Sequence, residues 1–290
     1  MLHYHIMEPA APSEIASMLV VPNHLGASIE DDMAARGQYL ADATGHRVLA
    51  YDRPASGLNA GWRPDDRHLL RTDYVAAVAR TGRMLSTVLD LEGARSVHVA
   101  GQSAAATEAA ALVRTETLPA THLTFLDGAG LDETSIIGGL ARYTRHMVRE
   151  IIRSRSLFGR GDDGTGNISV EELPQREKLH RVSRQALRSA AEMWTYAHVY
   201  RTPVSRSNLL HIARRQPGVV LNVQLVGNTF TSHPHAAQQI GRALVAARGL
   251  APATNRAPVL VNMEHAAYHS RFDPAQVFAS HINETYQLKP

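Results

Sequence analysis

The residues best placed to do chemistry lie in one short stretch, Val97-His98-Val99-Ala100-Gly101-Gln102-Ser103-Ala104-Ala105, which runs on into an alanine-rich segment ending near Val113. The apolar start reads as a buried strand and the alanine-rich continuation as a helix. A strand, a tight turn and a helix therefore meet within a few residues, with one hydroxyl, Ser103, at the sharp point. Gly101 stands two before it and Ala105 two after it, the small-x-nucleophile-x-small pattern of a nucleophile elbow. The need is steric: the turn holds the nucleophile in a strained backbone conformation, and the strand and helix pass too close for bulky flanking side chains. The helix N-terminus behind the serine aims free N–H groups at any negative charge developing there. The pentapeptide alone fits an ordinary strand-to-helix turn equally well, so the context has to decide.

An alcohol near its ordinary pKa is a poor nucleophile and needs a base. The chain has no cysteine, which excludes a cysteine nucleophile, a thiolate metal site and a disulfide frame. Among its 16 histidines, His233 and His235 form an H-x-H pair that could ligate a metal. No third ligand lies near them in the sequence, so neither a metal nor another cofactor is expected. Asp127 ends an apolar strand in LTFLDGAG. A carboxylate there is costly unless paired, which favours a functional role over a turn cap beside Gly128.

Thirty basic against 27 acidic residues give a net charge of only +3, which leaves no footprint for nucleic acid or a membrane surface. Ten arginines between Arg142 and Arg188 could bind an anion, but Glu150, Glu171, Glu172 and Glu177 among them favour a solvated helix face. The N-terminus, MLHYHIMEPAAPSE, lacks a basic segment followed by an apolar one, and no run of about 18 apolar residues occurs. No membrane span and a cytoplasmic location are the expectation. The oligomeric state is not readable, and a homo-oligomer stays open.

At 290 residues, one α/β domain with an insertion is expected. Short apolar runs predict strands over 18–21, 47–51, 97–100, 123–126, 219–226 and 258–263. Helical spacing predicts helices over 30–43, 73–91 (stopped by Gly93) and 236–247, with a last one starting near Asp273-Pro274. Residues 52–67 read as a long Pro/Gly/Arg loop. From 133 to 217 the chain reads as helices without strands, among them 140–152 and 179–199, with a capping box at Ser169 and Glu172. Alternating strands and helices imply a mostly parallel, doubly wound sheet, with the site at the carboxyl ends of its strands. Three parts follow: a core over 1–132, an insertion over 133–217, and the rest of the core over 218–290.

Four stretches, in order, resemble the α/β-hydrolase family, and the resemblance covers nearly the whole chain. VVPNHLGAS is similar to the strand and oxyanion loop usually written HGxxGS, and VLAYDRPASG to the next strand with its D-x-R-G-x-G loop. VHVAGQSAAA is similar to the elbow, and VLVNMEHAAYHSRFDP to the last strand and its histidine loop. The resemblance implies Ser103 as nucleophile and His265 as base, with His269 the runner-up. It implies oxyanion donors at the backbone of Ala104 and Leu25, although Asn23-His24 replaces the usual His-Gly. The commoner acid position, after the penultimate strand, holds Phe230 in Gly227-Asn228-Thr229-Phe230. Some members carry the acid one strand earlier, which here is Asp127. Asp132 is a weaker substitute, and Glu264 is adjacent to His265 and poorly placed to face it. The insertion stands where the family carries a helical cap. The implied function is a serine hydrolase acting on a small acyl substrate, a carboxylic ester or a related lactone or amide, through a Ser-His-Asp triad and an acyl-enzyme. A serine at this position excludes chemistry that needs a carboxylate nucleophile. The altered acid and oxyanion positions also fit a different class: a lyase, or a catalytically silent ligand-binding protein of the same fold.

Overall fold

The structure is a computed structural model, and it describes residues 2–12, 17–23, 34–61, 64–135, 137–139, 141, 187, 190–226, 234–247, 259–261 and 274–287. The apolar runs become strands β2 (Met18–Pro22), β3 (Arg47–Tyr51), β4 (Val97–Gln102), β5 (Ala120–Leu126), β6 (Val220–Val226) and β7 (Val259–Val261), and they are preceded by a further strand, β1 (Tyr4–Met7). They form a single sheet in the order β1-β3-β2-β4-β5-β6-β7. Only β1 runs antiparallel, pairing Tyr4 with Tyr51 at the edge, and the other neighbours are parallel. The order leaves β2 and β4 in the middle, buried along their whole length. Continuous Val/Leu/Ala runs are what a parallel sheet covered on both faces requires.

The helices are α1 (Ala34–Thr44), α2 (Pro64–Thr72), α3 (Tyr74–Leu91), α4 (Ala104–Arg114), α5 (Ala197–Arg201), α6 (Val204–Arg215), α7 (Pro234–Ala247) and α8 (Pro274–Gln287). One face of the sheet is covered by α1 and α8, which pack on each other and on β3, β5 and β6. The opposite face carries α4, flanked by α3 and α6, with α7 beyond. Alanine dominates α4 because the helix is enclosed: Ala104 through Val113 are all buried, so no polar face is needed. Asp73 caps α3, accepting from the Ala76 N–H at 3.0 Å, and Gly93 ends it as expected.

Two elements were not anticipated. Helix α2 occupies part of the stretch read as a loop, and Pro64 begins it. Strand β1 is too short and polar to show a pattern, with only Met7 of its four residues buried. Strand β5 also begins earlier than its apolar half suggests, at Ala120. Between β5 and β6 the described residues contain helices and no strand. Apart from residues 141 and 187, the helix expected over 140–152, the first part of that over 179–199, and the Ser169 and Glu172 capping box lie outside the described residues, while 190–195 and 197–199 are helical as expected. No helix among the described residues is long and apolar enough to cross a membrane.

Candidate active site

Ser103 sits between the end of β4 and the start of α4 with φ 56° and ψ −127°. A residue with a β-carbon adopts this conformation only when its surroundings hold it there. Several contacts do so. The Ser103 N–H donates to the Leu126 carbonyl of the neighbouring strand at 2.9 Å, and its own carbonyl accepts from Ala106 N–H at 3.0 Å. Gly101 is obligatory for the close approach: a β-carbon there would come within 2.3 Å of the Ala105 carbonyl oxygen. Serine at a helix start usually accepts a hydrogen bond from the first turn, but the Ser103 hydroxyl makes no such bond. The positive φ turns it away from its own helix. Ser103 is only partly buried, while Gln102 and Ala104 on either side are buried. The turn thus presents one hydroxyl beside a helix N-terminus, where backbone N–H groups favour negative charge.

Asp127 follows β5 directly. Gln102 pairs with Leu126 in the β4–β5 register, so Ser103 and Asp127 leave adjacent strands at one level, roughly 5 Å apart across the sheet. Asp127 is 2% exposed and also has positive φ, at 46°. Its N–H donates to the Gln224 carbonyl on β6 at 2.8 Å. The next turn is pinned from two sides: Thr107 Oγ1 on α4 donates to the Ala129 carbonyl at 2.9 Å, and Ser205 Oγ on α6 donates to the same oxygen. The Ser205 N–H also donates to Gly130 O at 2.9 Å. Asp132, by contrast, is partly exposed. Ser103, Ala104 and Asp127 are therefore brought together at the carboxyl edge of the central strands. His265, His269, Leu25, His233 and Phe230 lie outside the described residues, and His235 lies on α7, 3.0 Å from Gln239 through its Nε2.

Beside this turn lies a buried polar network that sequence reading missed. It starts at the ends of β2 and β3. Asp52 is fully buried and accepts from Asn23 Nδ2 at 2.8 Å and from Leu58 N–H at 2.9 Å, with His3 Nδ1 at 2.8 Å. Gly57 makes this closure possible: at φ +52° it packs where a β-carbon would lie 2.4 Å from the Asp52 carboxylate. Arg53, 1% exposed, points the other way. Its Nε donates to the Asn23 carbonyl at 2.9 Å and its Nη2 to Glu192 Oε2 at 2.8 Å, and its Cζ lies over the Tyr196 ring, 4.9 Å from the centroid. Ser56 Oγ donates to the other Glu192 oxygen at 2.9 Å, and Tyr196 donates to the Pro54 carbonyl. On α4, the buried Glu108 accepts from Tyr51 at 2.7 Å and from Tyr74 at 3.3 Å.

Electrostatics follow from this burial. Desolvation pushes the Glu108 carboxyl up to about 7, against the opposing pull of Arg53 and the two tyrosine hydroxyls. Burial also raises the phenols of Tyr51, Tyr74 and Tyr196. Burial works against the Arg53 charge, but the field of Tyr196, Glu192 and Glu108 outweighs it and keeps the guanidinium above its ordinary range. The sequence did hold a signal for Glu108: it is an acid in the middle of AATEAAALV, an otherwise apolar helix.

A seven-stranded, mostly parallel sheet with this order, and a strained serine turn after its central strand, define the α/β-hydrolase fold. Solved structures match it over nearly the full chain. Proline iminopeptidase from Mycobacterium smegmatis is 14% identical, with a TM-score of 0.53 over 98% of this chain and 94% of that one. The enol-lactonase from Burkholderia xenovorans is 16% identical, with a TM-score of 0.53 over 99% and 96%. An esterase from Pyrobaculum calidifontis is 12% identical, with a TM-score of 0.55 over 98% and 82%. No family model matches the chain, and no curated protein matches it.

Proposed function

We propose that this protein is a serine hydrolase acting on a carboxylic ester or a related acyl bond, a lactone or an amide. Ser103 Oγ attacks the carbonyl carbon and gives its proton to His265. The oxyanion is held by the backbone N–H groups of Ala104 and Leu25. His265 then protonates the leaving group, and water, activated by the same imidazole, releases the acid from Ser103. Asp127 orients the imidazole and stabilises its charged form. Residues 133–217 form a helical cap over the strand ends, and 1–132 and 218–290 form the core. The docking of Glu192 and Tyr196 beside the end of β3 supports the cap, whereas α6, at the end of this range, packs on α4 and α7 of the core.

One observation carries the reading: Ser103 is held at φ 56° with its hydroxyl unused by its own helix. Strain of this kind persists at sites where function needs it. The neighbours' names, a peptidase, a lactonase and an esterase, span the acyl bonds proposed here. Hydrolysis of a short p-nitrophenyl ester tests it. Ser103→Ala should lose at least ~10³-fold in kcat with an unchanged melting profile, and Asp127→Asn at least ~10²-fold with KM little changed. Full activity in Ser103→Ala would reject the assignment, and a well-folded wild type with no turnover would favour the ligand-binding alternative.

A further inference from the structure

Arg53 joins three segments that are remote in sequence. Its Nε donates to the backbone carbonyl of Asn23 at 2.9 Å, and its own N–H donates to Asn23 Oδ1 at 2.9 Å. Its Nη2 reaches Glu192, 139 residues further along the chain, on the helical segment that leads back to the core. Asn23 is the residue that leaves β2, and its N–H donates to Tyr51 O at 2.9 Å. Its side chain donates to Asp52 at 2.8 Å and to Ser56 at 3.3 Å. Ser56 in turn holds Glu192 at 2.9 Å. Asn23, Asp52, Arg53, Ser56 and Glu192 are all buried.

We infer that Arg53 is a positioning residue that couples the insertion, through Glu192, to Asn23, and thereby sets the start of the segment that carries the second oxyanion donor. The inference rests on the proposed function for its last step, since Leu25 follows Asn23 by two residues. Guanidinium is the group this task needs. It is a planar fork that donates in two directions at once, one edge to a carboxylate and one to a carbonyl, while its cationic carbon lies over an aromatic ring. Lysine keeps the charge but gathers its donors on one nitrogen, so it cannot reproduce the two separated contacts, from Nε to Asn23 and from Nη2 to Glu192, together with the cation over the Tyr196 ring. A role limited to neutralising Glu192 would therefore survive Arg53→Lys, whereas a positioning role would not. Glu192→Gln tests the other end. It keeps an acceptor for Ser56 and removes the charge that holds the guanidinium.

The experiment compares wild type, Arg53→Lys and Glu192→Gln by two measurements on the full chain. The first is amide hydrogen exchange by NMR at Asn23, with Val20 in the middle of β2 as the internal reference. The expected result is a loss of Asn23 protection of at least about tenfold in both variants, with Val20 unchanged. Asn23 protection equal to wild type in either variant would overturn the inference. The second is the rate constant for phosphonylation of Ser103 by a fluorophosphonate, per folded molecule. It should fall at least about tenfold in both variants, and kcat on an ester should fall with KM unchanged. Labelling within twofold of wild type, where Asn23 has lost protection, would overturn the link to the oxyanion segment. If wild type itself is not labelled, the proposed function fails, and exchange at Asn23 alone decides the coupling.

Discussion

Two buried polar clusters lie on opposite sides of the same sheet, and they solve the same problem differently. At the carboxyl ends of β2 and β3, polar groups are buried as a charged network: Arg53 against Glu192, with Asp52, Asn23 and Ser56 around it and Glu108 under two tyrosines. Beneath α8 the groups are neutral rings and hydroxyls. His98 and His122, partners in the β4–β5 register, face Tyr286 with centroids 5.0 and 4.7 Å away, and His46 lies 4.6 Å from the same ring. His98 Nε2 lies 2.9 Å from Thr124 Oγ1, which lies 2.6 Å from Thr285. Its Nδ1 is buried without a hydrogen-bond partner. Burial and the neighbouring His122 and His46 hold the His98 imidazole well below its ordinary range, and burial lowers His122 as well. The charged network ties the ends of β2 and β3 to the segment around Glu192, and ion pairs give such joints direction. The histidine cluster only has to fill space between a sheet and a helix, and neutral rings do that without charge.

The largest effect that separates the two should come from Arg53→Met. It leaves Glu192 buried with its charge unpaired, so urea unfolding at pH 7 should show a loss of about 3–5 kcal/mol. A loss below about 1 kcal/mol would mean that the two clusters do not differ in this way.

The two clusters should also respond to pH with opposite sign. Glu108 binds a proton more tightly folded than unfolded, with its pKa near 7 against about 4.3 in an open chain. Its contribution, on the order of 3 kcal/mol, is complete at low pH and is lost as pH rises through 7. Glu108→Gln keeps an acceptor for Tyr51 and should abolish that loss, seen as a flatter stability profile between pH 5 and 8. An unchanged profile would show that Glu108 is not the group responsible. For His98 and His122 the sign reverses. Their folded-state pKa is depressed, so stability is complete above an open-chain value of about 6.5 and falls as pH drops below it. His98→Phe removes the more strongly depressed imidazole and should raise stability relative to wild type by roughly 1 kcal/mol at pH 5. A wild-type acid limb in that variant would contradict the assignment.

The sequence made the elements legible where a long apolar pattern met a clear stop: 47–51, 73–91 and 219–226 fall within a residue of the observed bounds. It hid β1, whose four residues carry too little alternation, and α2, whose start was masked by the prolines and glycines before it. Ser103 was legible because its flanking residues had to be small, and Asp127 because a carboxylate at the end of an apolar strand needs a reason. The same reasoning applies to Glu108, and it was the one missed signal that lay in plain composition. The Arg53 and Glu192 pair could not be read at all. Its members stand 139 residues apart, and Glu192 sits in a stretch whose other charges read as a solvated face. Pairing across such a distance follows from topology, not from local pattern.

The central claim is that Ser103 is an activated nucleophile, and intact-mass spectrometry after incubation with a fluorophosphonate tests it most directly. Wild type should gain one phosphonyl group, and peptide mapping should place it on Ser103. Ser103→Ala should gain none. A folded wild type that stays unmodified, or a label on any other residue, would contradict the account.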